Sequence, residues 1–304
     1  MGFARVVSCP GRFVEIDDTS LWVVERGPDD GVPLLVLHGG PGLDHHEFAD
    51  YLDPLTERGV RLVFVDLRAC GRSERPSPQT WTLERHAQDV VMLARAMRLD
   101  RWAVLGHSYG AFVALQQAVD YPGVAAAVIV SSGVPSSRFL ERMDENLHDL
   151  APAELRDRVI ASFARESEVA TAKEFEDLMR DQWPFHFAFP GDTRIEEYRL
   201  RCAGMVYSPD VLRHFAGGEH GAIEVEDRLG EVISPTLVLA GRSDRTCVPE
   251  ASEAIARGIA DSQLLVFEAS GHMTFVEEPD VYVEAVSRFL GWDDDGQSIT
   301  EAIT

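Results

Sequence analysis

Apolar residues follow two rhythms along this chain. Short, largely apolar runs recur at residues 34–38, 61–66, 101–106, 125–131, 236–240 and 263–267. Runs of that length and composition read as strands buried on both faces. Between them lie stretches near 82–98, 109–120, 250–260 and 280–290, where apolar residues return every three to four positions. That is the spacing of helices with one buried face. Strand alternating with helix predicts an α/β fold, a mostly parallel sheet with helices on both faces. Ahead of it, residues 11–26 alternate around Asp17-Asp18-Thr19, which predicts an N-terminal hairpin.

The rhythm breaks between residues 134 and 230. This stretch is rich in charge and in helix formers (Arg138 to Met143, Ala153 to Arg165, Ala172 to Arg180) and shows no clear strand. It predicts a helical cap, 134–230, inserted after the strand at 125–131, with Ser234-Pro235 returning the chain to the sheet. Residues 1–133 and 231–304 then form the core. Trp183, Phe185, Phe187 and Phe189 suit a cap core or a pocket wall equally, and Glu196-Glu197 reads as a solvated helix face. The tail from Asp293 is expected to be loosely ordered.

Composition narrows the class. The chain has 304 residues, 45% of them hydrophobic, enough for one large core with an insertion and no disulfide staples. Cys9, Cys70, Cys202 and Cys247 show neither C-x-x-C nor a metal-ligand spacing. The first residues lack the apolar core of a signal peptide, and no run approaches a membrane span, so a reduced, cytoplasmic setting is expected. The formal net charge of -23 disfavours nucleic-acid partners. It reads first as a solubility adaptation and second as a field drawing in cationic amines. His45-His46 lacks an acidic or cysteine partner at a ligand spacing and reads as loop lining.

The chemistry concentrates at Gly106-His107-Ser108-Tyr109-Gly110. This G-x-S-x-G sequence follows a strand and opens a helix, the context in which such a serine is a nucleophile on a strained elbow. A bare motif would equally suit a glycine-rich turn with a capping serine. An activated serine needs a base and an orienter, which follow such an elbow in the order acid, then histidine. Asp244 lies just past the strand at 236–240, and His272 just past the strand at 263–267. Loops at strand C-terminal ends are where parallel sheets place their chemistry. Asp261 and Glu268 are the competing orienters. His38-Gly39-Gly40-Pro41-Gly42 ends the strand at 34–38, and the N–H groups of Gly40 and Tyr109 are the candidate oxyanion donors. No Lys follows to make it a phosphate loop. Two-step acyl transfer through Ser108, His272 and Asp244 needs no metal or organic cofactor.

Together these segments resemble the α/β-hydrolase fold, and more narrowly the prolyl aminopeptidase (proline iminopeptidase) family. Asp66-Leu-Arg-Ala-Cys-Gly-Arg-Ser73 matches that family's Asp-x-Arg-x-x-Gly-x-Ser stretch, and Gly271-His-Met-Thr-Phe-Val-Glu-Glu-Pro279 its closing motif. The resemblance covers nearly the whole chain and is weak across the cap. It implies an amidohydrolase that removes one residue from a peptide or aminoacylated small molecule with a free N-terminal amine. It also implies that a cap glutamate holds that amine, and Glu219 in Gly217-Gly-Glu-His-Gly221 is the best match.

The chain also departs from the family. Its elbow reads Gly-His-Ser-Tyr-Gly rather than Gly-Gly-Ser-Trp-Gly. The cap lacks the Trp-x-x-Trp-Glu pattern of prolyl-specific members, and Arg245 stands where some carry an acid after the triad Asp. A preference for proline does not follow. An esterase or lactonase on the same fold, a ligand-sensing relative without catalysis, and a biosynthetic amidase that deprotects a macrolactam-type antibiotic intermediate stay open.

Overall fold

The computed structural model describes residues 10–218 and 223–291. Its sheet has eight strands in the order β1-β2-β4-β3-β5-β6-β7-β8. These are β1 (Arg12–Ile16), β2 (Thr19–Arg26), β3 (Val32–Leu37), β4 (Val60–Val65), β5 (Ala103–His107), β6 (Ala127–Ser131), β7 (Thr236–Gly241) and β8 (Ser262–Phe267). The hairpin β1–β2 and the β2–β4 pair are antiparallel; from β4 to β8 every pair is parallel. Successive side chains of a strand point to opposite faces, and the core divides accordingly. Leu35, Leu37, Val63, Val65, Val104, Val128 and Val130 pack on one face. Leu34, Val36, Leu62, Phe64, Leu105 and Ile129 pack on the other.

Helices α1 (Leu83–Ala96) and α2 (Tyr109–Asp120) follow β4 and β5. Thr82 caps α1 by accepting the N–H of Arg85. The last strand departs from its sequence pattern. The run at 263–267 reads as buried on both faces, yet only Phe267 of β8 is buried, because β8 is the sheet's edge.

Between β6 and β7 the described residues form α3 (Arg142–His148), α4 (Ala153–Ala164), α5 (Ala172–His186), α6 (Arg194–Arg201) and α7 (Pro209–Ala216). The expected helix at 138–143 instead begins as a single 3-10 turn, Ser137–Phe139, before α3. α5 opens with a capping box, Thr171 with Glu174, and runs on through Pro184 to His186. A mid-helix proline loses a hydrogen bond, and burial of the aromatic residues around it offsets that loss. Those aromatics divide between the two readings of the sequence. Phe185 packs in a cap cluster with Leu147, Leu150 and Val159, whereas Trp183 lines a cavity. Phe187 is buried and Phe189 is exposed. Glu196 and Glu197 pair with Arg199 and Arg201 on an exposed face, as expected. The return to the sheet is followed by α8 (Pro249–Gly258), α9 (Thr274–Glu277) and α10 (Pro279–Leu290). No helix among the described residues is long and apolar enough to cross a membrane.

The Asp66–Ser73 stretch ties the sheet to its neighbours. Arg68 is fully buried and grips Asp89 of α1 bidentately, Nε to Oδ2 at 2.7 Å and Nη2 to Oδ1 at 2.8 Å. It also reaches Asp18 in the hairpin turn at 2.8 Å. Removing one partner of a buried pair strands the other charge. Arg68→Met is therefore expected to destabilise the fold by about 3–5 kcal/mol in urea denaturation, and Arg68→Met with Asp89→Leu to recover most of that loss. A single variant within 1 kcal/mol of the parent, roughly the range of an exposed pair, would contradict this.

Candidate active site

The site begins with how α2 meets the sheet. β5 ends at His107, Ser108 turns with φ 54° and ψ -120°, and α2 starts at Tyr109. A side chain on Gly106 would lie 2.0 Å from the Gly110 carbonyl oxygen, and one on Gly110 would lie 2.2 Å from that of Leu37. Only glycines allow helix and strand to close that far, and the closure holds the serine in its unfavourable backbone region. The Ser108 N–H donates to Ser131 O at 2.9 Å, which fixes the turn to β6. His107 and Tyr109 also have structural duties. The Tyr109 hydroxyl bonds His86 Nδ1 at 3.0 Å, and the buried His107 ring lies against that of His272, centroids 4.9 Å apart.

His272 and Asp244 come together from the loops after β8 and β7. His272 Nδ1 donates to Asp244 Oδ2 at 2.8 Å. A carboxylate only accepts, so the neutral imidazole keeps its proton on Nδ1 and leaves Nε2 as the basic nitrogen. Asp244 is held in turn, since its Oδ1 accepts the N–H groups of Thr246 and Cys247 at 2.9 Å. Burial pulls the His272 pKa down, but the charge and hydrogen bond of Asp244, helped by Glu47 and Glu277, raise it above the ordinary value. Neither competing acid takes the orienter's place. His272 Nδ1 is bonded to Asp244, Asp261 is exposed just before β8, and exposed Glu268 pairs with Arg242.

The loop bearing His272 is stapled from both sides. Glu278 accepts from Ala269 N and Ser270 Oγ. Glu277 Oε2 accepts from Gly271 N at 2.7 Å, and its Oε1 from Ala188 N of the cap at 2.9 Å. Burial raises the Glu277 carboxyl to about 7 against those bonds. His272 N donates to His186 O at 2.7 Å. Arg245 donates to the carbonyls of Phe185, Phe187 and Ala188. Arg245 therefore spends its charge on the cap backbone.

The glycine loop is braced by its own histidine. His38 is buried with a lowered pKa, first through desolvation; its Nδ1 donates to Gly39 O at 2.8 Å and its Nε2 accepts from Leu67 N at 3.1 Å. Gly40, Ser108 and Tyr109 border one cavity of about 590 Å³ beneath the cap. Tyr109 heads α2, where a helix leaves its N–H groups without internal partners. The cavity wall is mainly apolar, with Phe112, Met143, Phe163 and Trp183 among its residues.

Carboxyl groups interrupt that wall. Glu219, the expected amine partner, lies outside the described residues. Among those described, Glu47, Asp144 and Glu166 line the cavity. Burial raises Glu47 and Glu166 each to about 7, against a bond from Gly39 N in the first and from Gln182 in the second. Sequence reading passes over both, because no motif marks them and only the tertiary fold turns them inward. His45 and His46 do have acidic neighbours, contrary to the sequence expectation. His45 bonds Asp66 and His46 bonds Asp44. Asp44 Oδ2 also accepts from Arg72 and from Val206 N, the second of which joins cap to core, while its Oδ1 accepts from His46 N.

Residues 32–279 match the family model for the alpha/beta hydrolase fold. A proline iminopeptidase of Lactobacillus crispatus is 30% identical over 271 residues, 85% of this chain and 89% of the relative. One from Clostridium botulinum is 29% identical over 285 residues, 86% of this chain and 90% of the relative. Among solved structures, an alpha/beta fold family hydrolase from Bacillus anthracis str. Sterne superposes with a TM-score of 0.77 at 21% identity, covering 92% of this chain and 99% of that one. The chain thus belongs to the alpha/beta hydrolase fold family, in its proline iminopeptidase-like branch.

Proposed function

We propose that this hydrolase removes a single N-terminal aminoacyl residue from a peptide or an aminoacylated small molecule, through a Ser108-His272-Asp244 acyl-enzyme mechanism. The observation that carries the reading is a pair of pKa-raised carboxyls, buried Glu47 and half-buried Glu166, in an otherwise apolar cavity that also holds Ser108. Such groups are costly unless a cation neutralises them. A free-amine substrate supplies one, whereas a simple ester or lactone does not. The same cavity, larger than one small aminoacyl group and mostly apolar, favours a leaving amine with a bulky apolar body. That keeps biosynthetic deprotection of a macrolactam-type intermediate as the second reading.

In the proposed sequence Ser108 Oγ attacks the carbonyl carbon of the first residue while His272 Nε2 takes its proton. Asp244 holds the tautomer and stabilises the imidazolium. The N–H groups of Gly40 and Tyr109 meet the developing oxyanion. His272 then passes the proton to the leaving amine, and water, activated by the same base, releases the amino acid and frees the serine. Since Arg245 is a cation bound to three carbonyls, amine recognition falls to other residues.

Ser108→Ala is expected to lower kcat by roughly 10³-fold or more and to abolish fluorophosphonate labelling, with the melting temperature of the parent retained or raised. Labelling that persists in this variant would remove Ser108 from its role. Activity requires neutral His272, so kcat/KM should fall as pH drops through a pKa above that of free imidazole. Asp244→Asn should move that acid limb to lower pH, since the charge that raises the base is gone, and cut kcat by about 10⁴-fold. An acid limb that stays in place would point to a different orienter. A panel of aminoacyl p-nitroanilides, their N-acetylated forms and p-nitrophenyl acetate tests the substrate class; faster turnover of the acetylated forms would contradict it.

A further inference from the structure

Glu47 is a charged side chain in a place that the acyl-transfer steps do not require it. It belongs to the core loop after His38–Gly42, and it is 3% exposed. Its Oε2 accepts the Gly39 N–H at 2.5 Å, which fixes the carboxyl beside the glycine loop. A methyl group on Gly39 would lie 2.8 Å from Glu47 Oε1 and 3.0 Å from Ser108 Cβ. Carboxylate and nucleophile therefore flank the same point, separated by at most those two lengths. Glu47 also lines the cavity that Ser108 opens into.

That distance matches one particular substrate atom. In an aminoacyl group the α-nitrogen is two bonds from the carbonyl carbon, about 2.5 Å away, and a charge-assisted contact adds about 2.8 Å. A counter-ion for the α-ammonium must therefore stand about 5 Å from the attacked carbon, and a carboxylate that shares a neighbouring point with Ser108 Cβ is placed on the side of the nucleophile where that atom can be met. Glu166 is a separate case. It is held by Gln182 of the cap, whereas Glu47 is held by the glycine loop of the core.

We propose that Glu47, from the core loop rather than the cap, receives the α-ammonium of the residue being removed, and so makes the site selective for a free N-terminus. The inference rests on the aminoacyl-hydrolase reading above. One carboxylate oxygen stays on Gly39 and the other meets the ammonium, so substrate recognition and the placement of the Gly39-Gly40 loop share one side chain. Burial raises the carboxyl to about 7, and an arriving ammonium favours its ionised form.

The test compares alanyl and propionyl p-nitroanilide, which differ only in the ammonium group. If the parent enzyme shows no preference for the alanyl substrate, the aminoacyl reading itself fails, before any variant is made. Given that preference, Glu47→Gln, which keeps an acceptor for Gly39, should lower kcat/KM for the alanyl substrate about 100-fold and leave the propionyl value within about threefold. Equal losses on both substrates would make Glu47 a loop support only and overturn the proposal. So would an unchanged ratio, or a selective loss produced by Glu219→Gln or Glu166→Gln in its place. Should Glu47→Gln not fold, the alanyl-to-propionyl ratio of Glu166→Gln across pH 5–8 decides. It should fall toward low pH as Glu47 takes up a proton, and a flat ratio would overturn the assignment.

Discussion

The close approach of α2 to the ends of β3 and β5 is the constraint on which the rest of the site depends. Two glycines let backbone meet backbone where any side chain would collide with a carbonyl. The energy released by packing a helix that is buried along nearly its whole length holds Ser108 in a backbone region that would otherwise cost about 1–3 kcal/mol. From that one closure follow the placement of Tyr109 N–H at the helix start and the position of the His38–Gly42 loop beside it. Stability made in the core is converted into backbone strain at Ser108, the proposed nucleophile.

His272, the proposed base, is positioned by different means. Besides the buried Phe267 and Met273 at its ends, its loop is held by hydrogen bonds: Glu277 at the end of α9 and Glu278 at the start of α10, His186 O from the cap, and Arg245 bound to the carbonyls of that cap segment. The segment Phe185–Ala188 is thus both the end of α5 and part of the support of His272. Cap and core are coupled at the His272 loop, and again at Asp44, Glu47 O and Ser208.

Much of this was legible in the sequence because it is local. Unbroken apolar runs marked the parallel strands, and the strand-turn-helix context of Gly106–Gly110 marked the elbow. Asp244 and His272 were visible because each follows a strand end. The edge position of β8 was not visible, since pairing order is a property of the whole sheet. The passage of α5 through Pro184 was hidden for a similar reason: local propensity argues for a stop there, and burial of Trp183 and Phe185 overrides it. Glu47, Glu166, Arg245 and Glu277 look like ordinary charges in a chain with 51 acidic residues. Only long-range contacts distinguish them, and for Glu277 the closing motif Gly271–Pro279 was the available signal. Asp66, 21 residues from His45 and bonded to it, shows why sequence spacing alone missed the acidic neighbours of that histidine.

The central claim is that a substrate with a free amine passes through an ester on Ser108. The most direct measurement is mass spectrometry of the protein quenched within milliseconds of mixing with an aminoacyl p-nitrophenyl ester, followed by peptide mapping. The account predicts a transient gain equal to one aminoacyl group, located on the peptide that contains Ser108, which accumulates further when His272 is replaced by alanine only if acylation survives the loss of the base and otherwise disappears with it. An adduct on another residue, or turnover with no adduct under conditions where acylation outpaces hydrolysis, would contradict it.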